Sequence, residues 1–156
     1  MAEYEVRAGL AEVEEFDVVG ISTLTMSEKA TNDINMLWER FFAESIGQQI
    51  IDKTDDAIYA VYSDYQGDHE APYRLTIGYR VSNDNTPIDM HRVRVVPQEY
   101  AVMSAAGEQP KALLETWEAI WSSDIERSYA TDFEVYGPRF FEMDVNEVLI
   151  HVGVKK

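Results

Sequence analysis

Hydrophobic and polar positions along the chain change period several times, and each change marks an element. Residues 13–24, V-E-E-F-D-V-V-G-I-S-T-L, alternate imperfectly, with Phe16 and Val18 on one face and Val19, Ile21 and Thr23 on the other. That pattern predicts a strand with a bulge near 18–20. Residues 1–11, short and mixed, read as a frayed start. A polar loop over 27–33 offers Thr31, Asn32 or Asp33 as a helix cap. From Ile34 the period turns helical: Ile34, Leu37, Trp38, Phe41 and Phe42 fall on one stripe, and Gly47 is a plausible stop. Residues 48–56 connect to a short strand, A-I-Y-A-V-Y at 57–62. Tyr73, Leu75, Ile77 and Tyr79 then share one face of a strand over 73–81, and the aperiodic S-N-D-N-T-P at 82–87 predicts a linker.

The same order returns after the linker. Residues 90–96 run into Pro97, which argues for an edge or a break, and Tyr100, Val102 and Ser104 alternate beyond it. A turn at 107–109 and Pro110 precede a helix with Leu113, Leu114, Trp117, Ile120 and Trp121 at helical spacing. Strands over 133–136 and 147–154 close the chain. E-E-F-D-V-V resembles Q-E-Y-A-V-M, I-Y-A-V-Y resembles F-E-V-Y, and Trp38 and Phe42 stand against Trp117 and Trp121. The chain is expected to form a single domain over 1–156, with pseudo-repeats at 12–82 and 90–154 and helices lying over a sheet. The seam between two such halves is where a small ligand would sit.

The stretch T-D-F-E-V-Y-G at 131–137 carries the sharpest question. Alternation puts Glu134 on the face of Tyr136. On a solvated face it is a surface residue; on a buried face a lone carboxylate needs a compensating partner. In the repeat Glu134 falls opposite Ala60 and Tyr136 opposite Tyr62, which makes a buried face as reasonable as a solvated one.

The formal charge is −16, from 29 acids against 13 Lys and Arg. It argues against direct nucleic-acid and anionic-membrane partners and fits attraction of cations, though acidity also serves solubility. There is no cysteine, so thiol chemistry is excluded. The start M-A-E-Y-E-V-R has no basic run or apolar block, and no window approaches a membrane span, so a soluble cytoplasmic protein is expected.

The three histidines, His69, His91 and His151, show no metal spacing, and His151 reads as a strand residue on a partly exposed face. Asp64, Asp68 and Glu70 lack the spacing of a calcium loop. No G-x-S-x-G, P-loop or G-x-G-x-x-G occurs, so neither a cofactor nor a metal is expected. Glu142, Asp144 and Glu147 lie near Glu134 in sequence only. Nine tyrosines and three tryptophans supply both core and candidate ligand platforms. Several buried tyrosines would need partners and would give a polar-lined cavity. Aromatic faces around a carboxylate suit a lipophilic cation, because the rings accept its body and the acid its charge.

Four motifs carry a resemblance: P-x-x-Y-A-V at 97–102, the run from Gly107 to Trp117, F-E-V-Y, and the closing L-I-H-V-G-V. With D-Y-Q-G at 64–67 and Y-R-L-T-I-G-Y-R-V at 73–81, they resemble the GyrI-like effector-binding domains, the multidrug-binding part of several bacterial transcription activators. The likeness runs from Val13 to Val154 and is nearest to the free-standing integron-cassette proteins that bind cationic drugs. It implies an α+β fold, in which tandem duplicated strand–helix–strand–strand halves form a curved antiparallel sheet with two helices and a central cleft. It also implies a ligand-binding glutamate at the cleft floor, a role falling on Glu134, with Glu147 as a second acidic position. Trp117, Trp121, Tyr79, Tyr136, Tyr62 and Phe42 would line the cleft. No helix-turn-helix is expected beside the domain, so contact with DNA would need a DNA-binding or other protein partner. The leading expectation is non-enzymatic binding of cationic lipophilic small molecules for sensing or sequestration. The alternatives are a toxin hydrolase using Glu134 as base, and a protein inhibitor acting through its acidic surface.

Overall fold

A computed structural model describes residues 9–26, 30–67, 71–82, 86–109, 111–123, 125–142 and 145–155, with the side chains of Thr31, Pro138 and Arg139 left aside. The elements are β1 (Gly9–Val13), β2 (Phe16–Thr25), α1 (Ala30–Ala43), α2 (Ile46–Gln49), β3 (Ile58–Ser63) and β4 (Tyr73–Val81). They continue with β5 (His91–Val95), β6 (Gln98–Ala105), α3 (Lys111–Trp121), β7 (Arg127–Tyr136), a 3₁₀ turn (Pro138–Phe141) and β8 (Val148–Val154). The fold is α+β, and eight strands form one sheet in the order β1-β6-β8-β7-β3-β4-β2-β5, every pair antiparallel.

Two short links impose the curvature. Residues 14–15 join β1 to β2, and residues 96–97 join β5 to β6, yet each link connects strands at opposite ends of the sheet. Links that short can span the sheet only if its ends curl toward each other. The ring contacts agree. Phe133 of central β7 meets Phe16 of β2 at 5.3 Å and Tyr100 of β6 at 5.2 Å. These rings belong to a core inside the curl with Val18, Tyr59, Val61, Val93 and Val95. A second core fills the other face, under the helices, and holds Val19, Ile21, Leu37, Phe41, Leu75, Ile77, Met103, Ile120 and Ile150.

Two cores explain why β2 alternates imperfectly. Phe16 and Val18 enter one core, Val19 and Ile21 the other, and all four are buried. No bulge is needed: β2 pairs with β4 in unbroken register from Asp17↔Val81 to Thr25↔Tyr73. Pro97 does break its run, and β5 and β6 part to opposite ends. Three further expectations need correction. Part of the supposed frayed start is edge strand β1, which pairs with β6 from Gly9↔Val102 to Val13↔Gln98. Helix α1 already includes Ala30, and Asp33 accepts a 2.7 Å bond from Thr25 Oγ1 inside its first turn. Gly47 lies within α2 instead of ending α1. It lies there by close packing, since a Cβ would stand 2.9 Å from the Tyr79 ring. The expected linker (in part), Asp68, His69, Glu70, Pro110 and Asp144 lie outside the described residues.

Gly20 and Gly78 face each other across β2 and β4. A Cβ on Gly20 would fall 1.9 Å from the Ile77 carbonyl oxygen, inside the backbone itself. Gly20→Ala is therefore expected to destabilise by about 1–3 kcal/mol or more. A thermal melt matching the parent within a degree would show that the two strands can spread at no cost.

Candidate functional site

The two long helices divide their apolar stripes the same way. In α1, Leu37 and Phe41 are buried against the sheet, whereas Ile34, Trp38 and Phe42, spaced by four, turn sideways. In α3, Ala112, Thr116 and Ile120 are buried, and Leu113, Trp117 and Trp121, again spaced by four, turn sideways into the cleft, with Trp117 buried there. The two sideways stripes are the walls of a cleft of about 560 Å³. Its floor is the sheet, chiefly Ile58, Ala60 and Tyr62 of β3 with Glu134 and Tyr136 of β7. Phe42, Leu114, Trp121 and Phe141 line it while remaining exposed, so apolar surface continues to the mouth. Exposed apolar surface gathered around a concavity suggests a ligand more than a core.

Ala60 and Glu134 are direct cross-strand partners, flanked by Ile58↔Tyr136 and Tyr62↔Asp132. The β3–β7 junction is the middle of the sheet, so Glu134 stands at the centre of the floor. It is 2% exposed. Its Oε2 accepts from Tyr62 Oη at 2.8 Å and Trp117 Nε1 at 2.7 Å, and its Oε1 accepts from Tyr136 Oη at 2.7 Å. All three donors are neutral, and no cationic side chain among the described residues pairs with the carboxylate. Burial pushes its pKa above the usual carboxylate range, and the three hydrogen bonds pull part of the way back. Burial, and then the Glu134 charge, push the Tyr62 and Tyr136 hydroxyls well above the usual phenol value, so both remain donors.

Of the residues expected at the site, Glu134, Tyr136, Tyr62, Trp117, Trp121 and Phe42 meet around this cleft. Tyr79 does not. It lies farther along β4, tilted on Phe41 at 6.0 Å with Lys53 Nζ 4.2 Å over its ring. Glu147 does not line the cleft either, and its carboxylate accepts from Ser104 Oγ. Lining residues that the sequence did not single out include Trp38, Tyr65 and Tyr73. Trp38 packs edge-on against Tyr136 at 5.0 Å and stacks on Phe42 at 5.9 Å. Its position four before Phe42 was the available signal. Tyr73 and Tyr65 extend the aromatic wall from Tyr62, with centroids 5.5 and 5.9 Å apart along the row. Asp132 shares the face of Glu134 two residues earlier, and alternation alone could have found it. It is fully buried and binds Arg127 Nη2 at 2.6 Å, the Gly153 amide at 2.8 Å and the Tyr65 hydroxyl.

Residues 9–154 match the family model Cass2, integron-associated effector binding protein. The chain belongs to that family. Among curated proteins it is similar to the candidate transcriptional regulator YobU of Bacillus subtilis (strain 168). The two are 26% identical over 144 residues, covering 84% of this chain and 90% of that one. Two solved structures share the fold. Integron cassette protein VCH_CASS2, from the mobile metagenome of Vibrio cholerae, superposes with a TM-score of 0.76 at 22% identity, covering 96% of this chain and 97% of its own. SAV2435, solved bound to tetraphenylphosphonium, superposes with a TM-score of 0.79 at 18% identity, covering 96% and 94%. Membership in this effector-binding family makes small-molecule binding the activity to explain. Among the described residues, no helix of this Cass2-family protein is long and apolar enough to cross a membrane.

Proposed function

We propose that the cleft binds lipophilic organic cations, with Glu134 as the counter-charge and the aromatic walls holding the apolar body. One observation carries this reading: a carboxylate at the centre of an aromatic floor, buried and, among the described residues, met only by neutral donors. Such a charge is costly to bury alone, and an incoming cation offsets that cost. Three donors leave the carboxylate acceptor capacity, and the rings around it favour positive charge. The tetraphenylphosphonium bound to SAV2435, a protein of the same fold, is a cation of this kind. The role is sensing or sequestration in the cytoplasm. No observation gives a hydrolytic role for Glu134 comparable support.

Affinity for a permanent cation is expected to fall as pH drops through the raised pKa of Glu134, because protonation removes the counter-charge. The unliganded protein behaves oppositely. A carboxyl whose pKa is raised on folding contributes stability below its unfolded value and loses it as pH rises through the folded one. Binding isotherms and melts from pH 4 to 8 check both signs; affinity that strengthens on acidification would remove Glu134 from the role.

A further inference from the structure

Arg127, at the start of β7, lines the same cleft and is left unused by cation binding. It is 6% exposed. Its Nη2 donates to Asp132 at 2.6 Å and reaches Tyr65 Oη at 3.4 Å. Its Nε and Nη1 are buried and, among the described residues, meet no acceptor. Buried donors without acceptors are costly, and Asp132 is already taken up by Arg127, Tyr65 and the Gly153 amide. The rings of Tyr129, Trp117 and Tyr65 lie 4.4, 5.7 and 5.8 Å from the guanidinium carbon. Ring faces stabilise the charge but do not replace an oxygen acceptor.

Trp117 ties this group to the carboxylate. Its indole nitrogen donates to Glu134 while its ring faces Arg127, so an acceptor pole and a donor pole flank one side chain in one cleft. The charges restrict what can bridge them. Glu134 and Asp132 are negative and Arg127 positive, so a monocation brings the buried set to neutrality, and a ligand carboxylate would undo it. The group meeting Arg127 must then be a neutral acceptor. Tyr129 is half-buried, has φ 55° and sits where the β7–β8 register shifts. Its ring covers the guanidinium and is the part that would turn aside.

We propose that the preferred ligand is a lipophilic monocation that also carries a neutral hydrogen-bond acceptor, a carbonyl above all, received by Arg127 while Glu134 meets the positive end. The proposal rests on the cation reading of the cleft. Its test uses the full chain and two aryl trimethylammonium ligands, identical except for a ketone in one and a methylene in the other. The ketone is expected to bind more tightly by on the order of tenfold, and its carbonyl stretch to move to lower frequency when bound. The double variant Arg127→Met/Asp132→Asn, which removes the buried pair together, is expected to bring the two affinities together. If that variant fails to fold, the carbonyl band on the parent protein decides. Equal affinities with an unshifted band would overturn the proposal and leave the cation reading standing. Failure of both ligands to bind would overturn that reading and the proposal with it.

Discussion

Replacing Glu134 by glutamine is expected to weaken binding of an aromatic cation by about 2–5 kcal/mol, roughly thirtyfold to several thousandfold, while the protein stays folded. The geometry makes the variant informative. A glutamine carbonyl at the Oε2 position still accepts from Tyr62 and from Trp117, whose indole can only donate. The amide then occupies the Oε1 position and donates to the Tyr136 hydroxyl, which can rotate to accept. Shape and hydrogen bonds persist, and only the charge goes. An isothermal titration showing cation affinity within threefold of the parent would mean the aromatic walls alone hold the ligand.

Asp132→Ala is expected to produce the largest loss of stability, about 3–5 kcal/mol, because it leaves the Arg127 guanidinium buried without its counter-charge. It also strips an acceptor from Tyr65 and from the Gly153 amide, which ties β7 to β8. The double variant used above should be more stable than Asp132→Ala, since removing both charges of a buried pair costs less than removing one. Urea denaturation of the three proteins checks the ordering. A single variant losing less than 1 kcal/mol would show that water reaches Arg127 and that the pair is not a closed structural unit.

Much of the fold was legible in local text because each core is fed by a simple period. The helical stripes around Trp38 and Trp117, the break at Pro97 and the alternation that puts Glu134 with Tyr136 each had a local cause. Other features depend on partners far away in sequence. The edge strand β1 has exposed, short alternation and is a strand only because β6 lies beside it. The apparent bulge in β2 is a strand buried on both faces, which no single-face template can represent. Glycine at 47 reads as a helix stop, yet the ring of Tyr79, thirty-two residues on, is what requires it. Half of each stripe faces the cleft instead of the core, and periodicity cannot separate the two.

The candidate site divides in the same way. Glu134, Tyr136 and Tyr62 lie on adjacent central strands, and alternation puts Glu134 and Tyr136 on one face. Tyr79 shares the face of Tyr73 on β4, but it packs against Gly47 of α2 and Phe41 of α1, outside the cleft. Glu147 accepts from Ser104 and lies outside the cleft lining. Arg127 had no local signal at all, since its partner in the same strand lies across an irregularity at 127–132.

The central claim is that charge, beyond apolar area, selects the ligand. The measurement that tests it most directly is tryptophan-quenching titration with an aryl trimethylammonium compound and its neutral tert-butyl isostere, run at two salt concentrations. Trp117 touches Glu134 and will report occupancy of the floor. The cation is expected to bind at least tenfold more tightly, with little dependence on salt because the pairing is buried. Equal affinity for the two compounds would contradict the account and return Glu134 to a structural role.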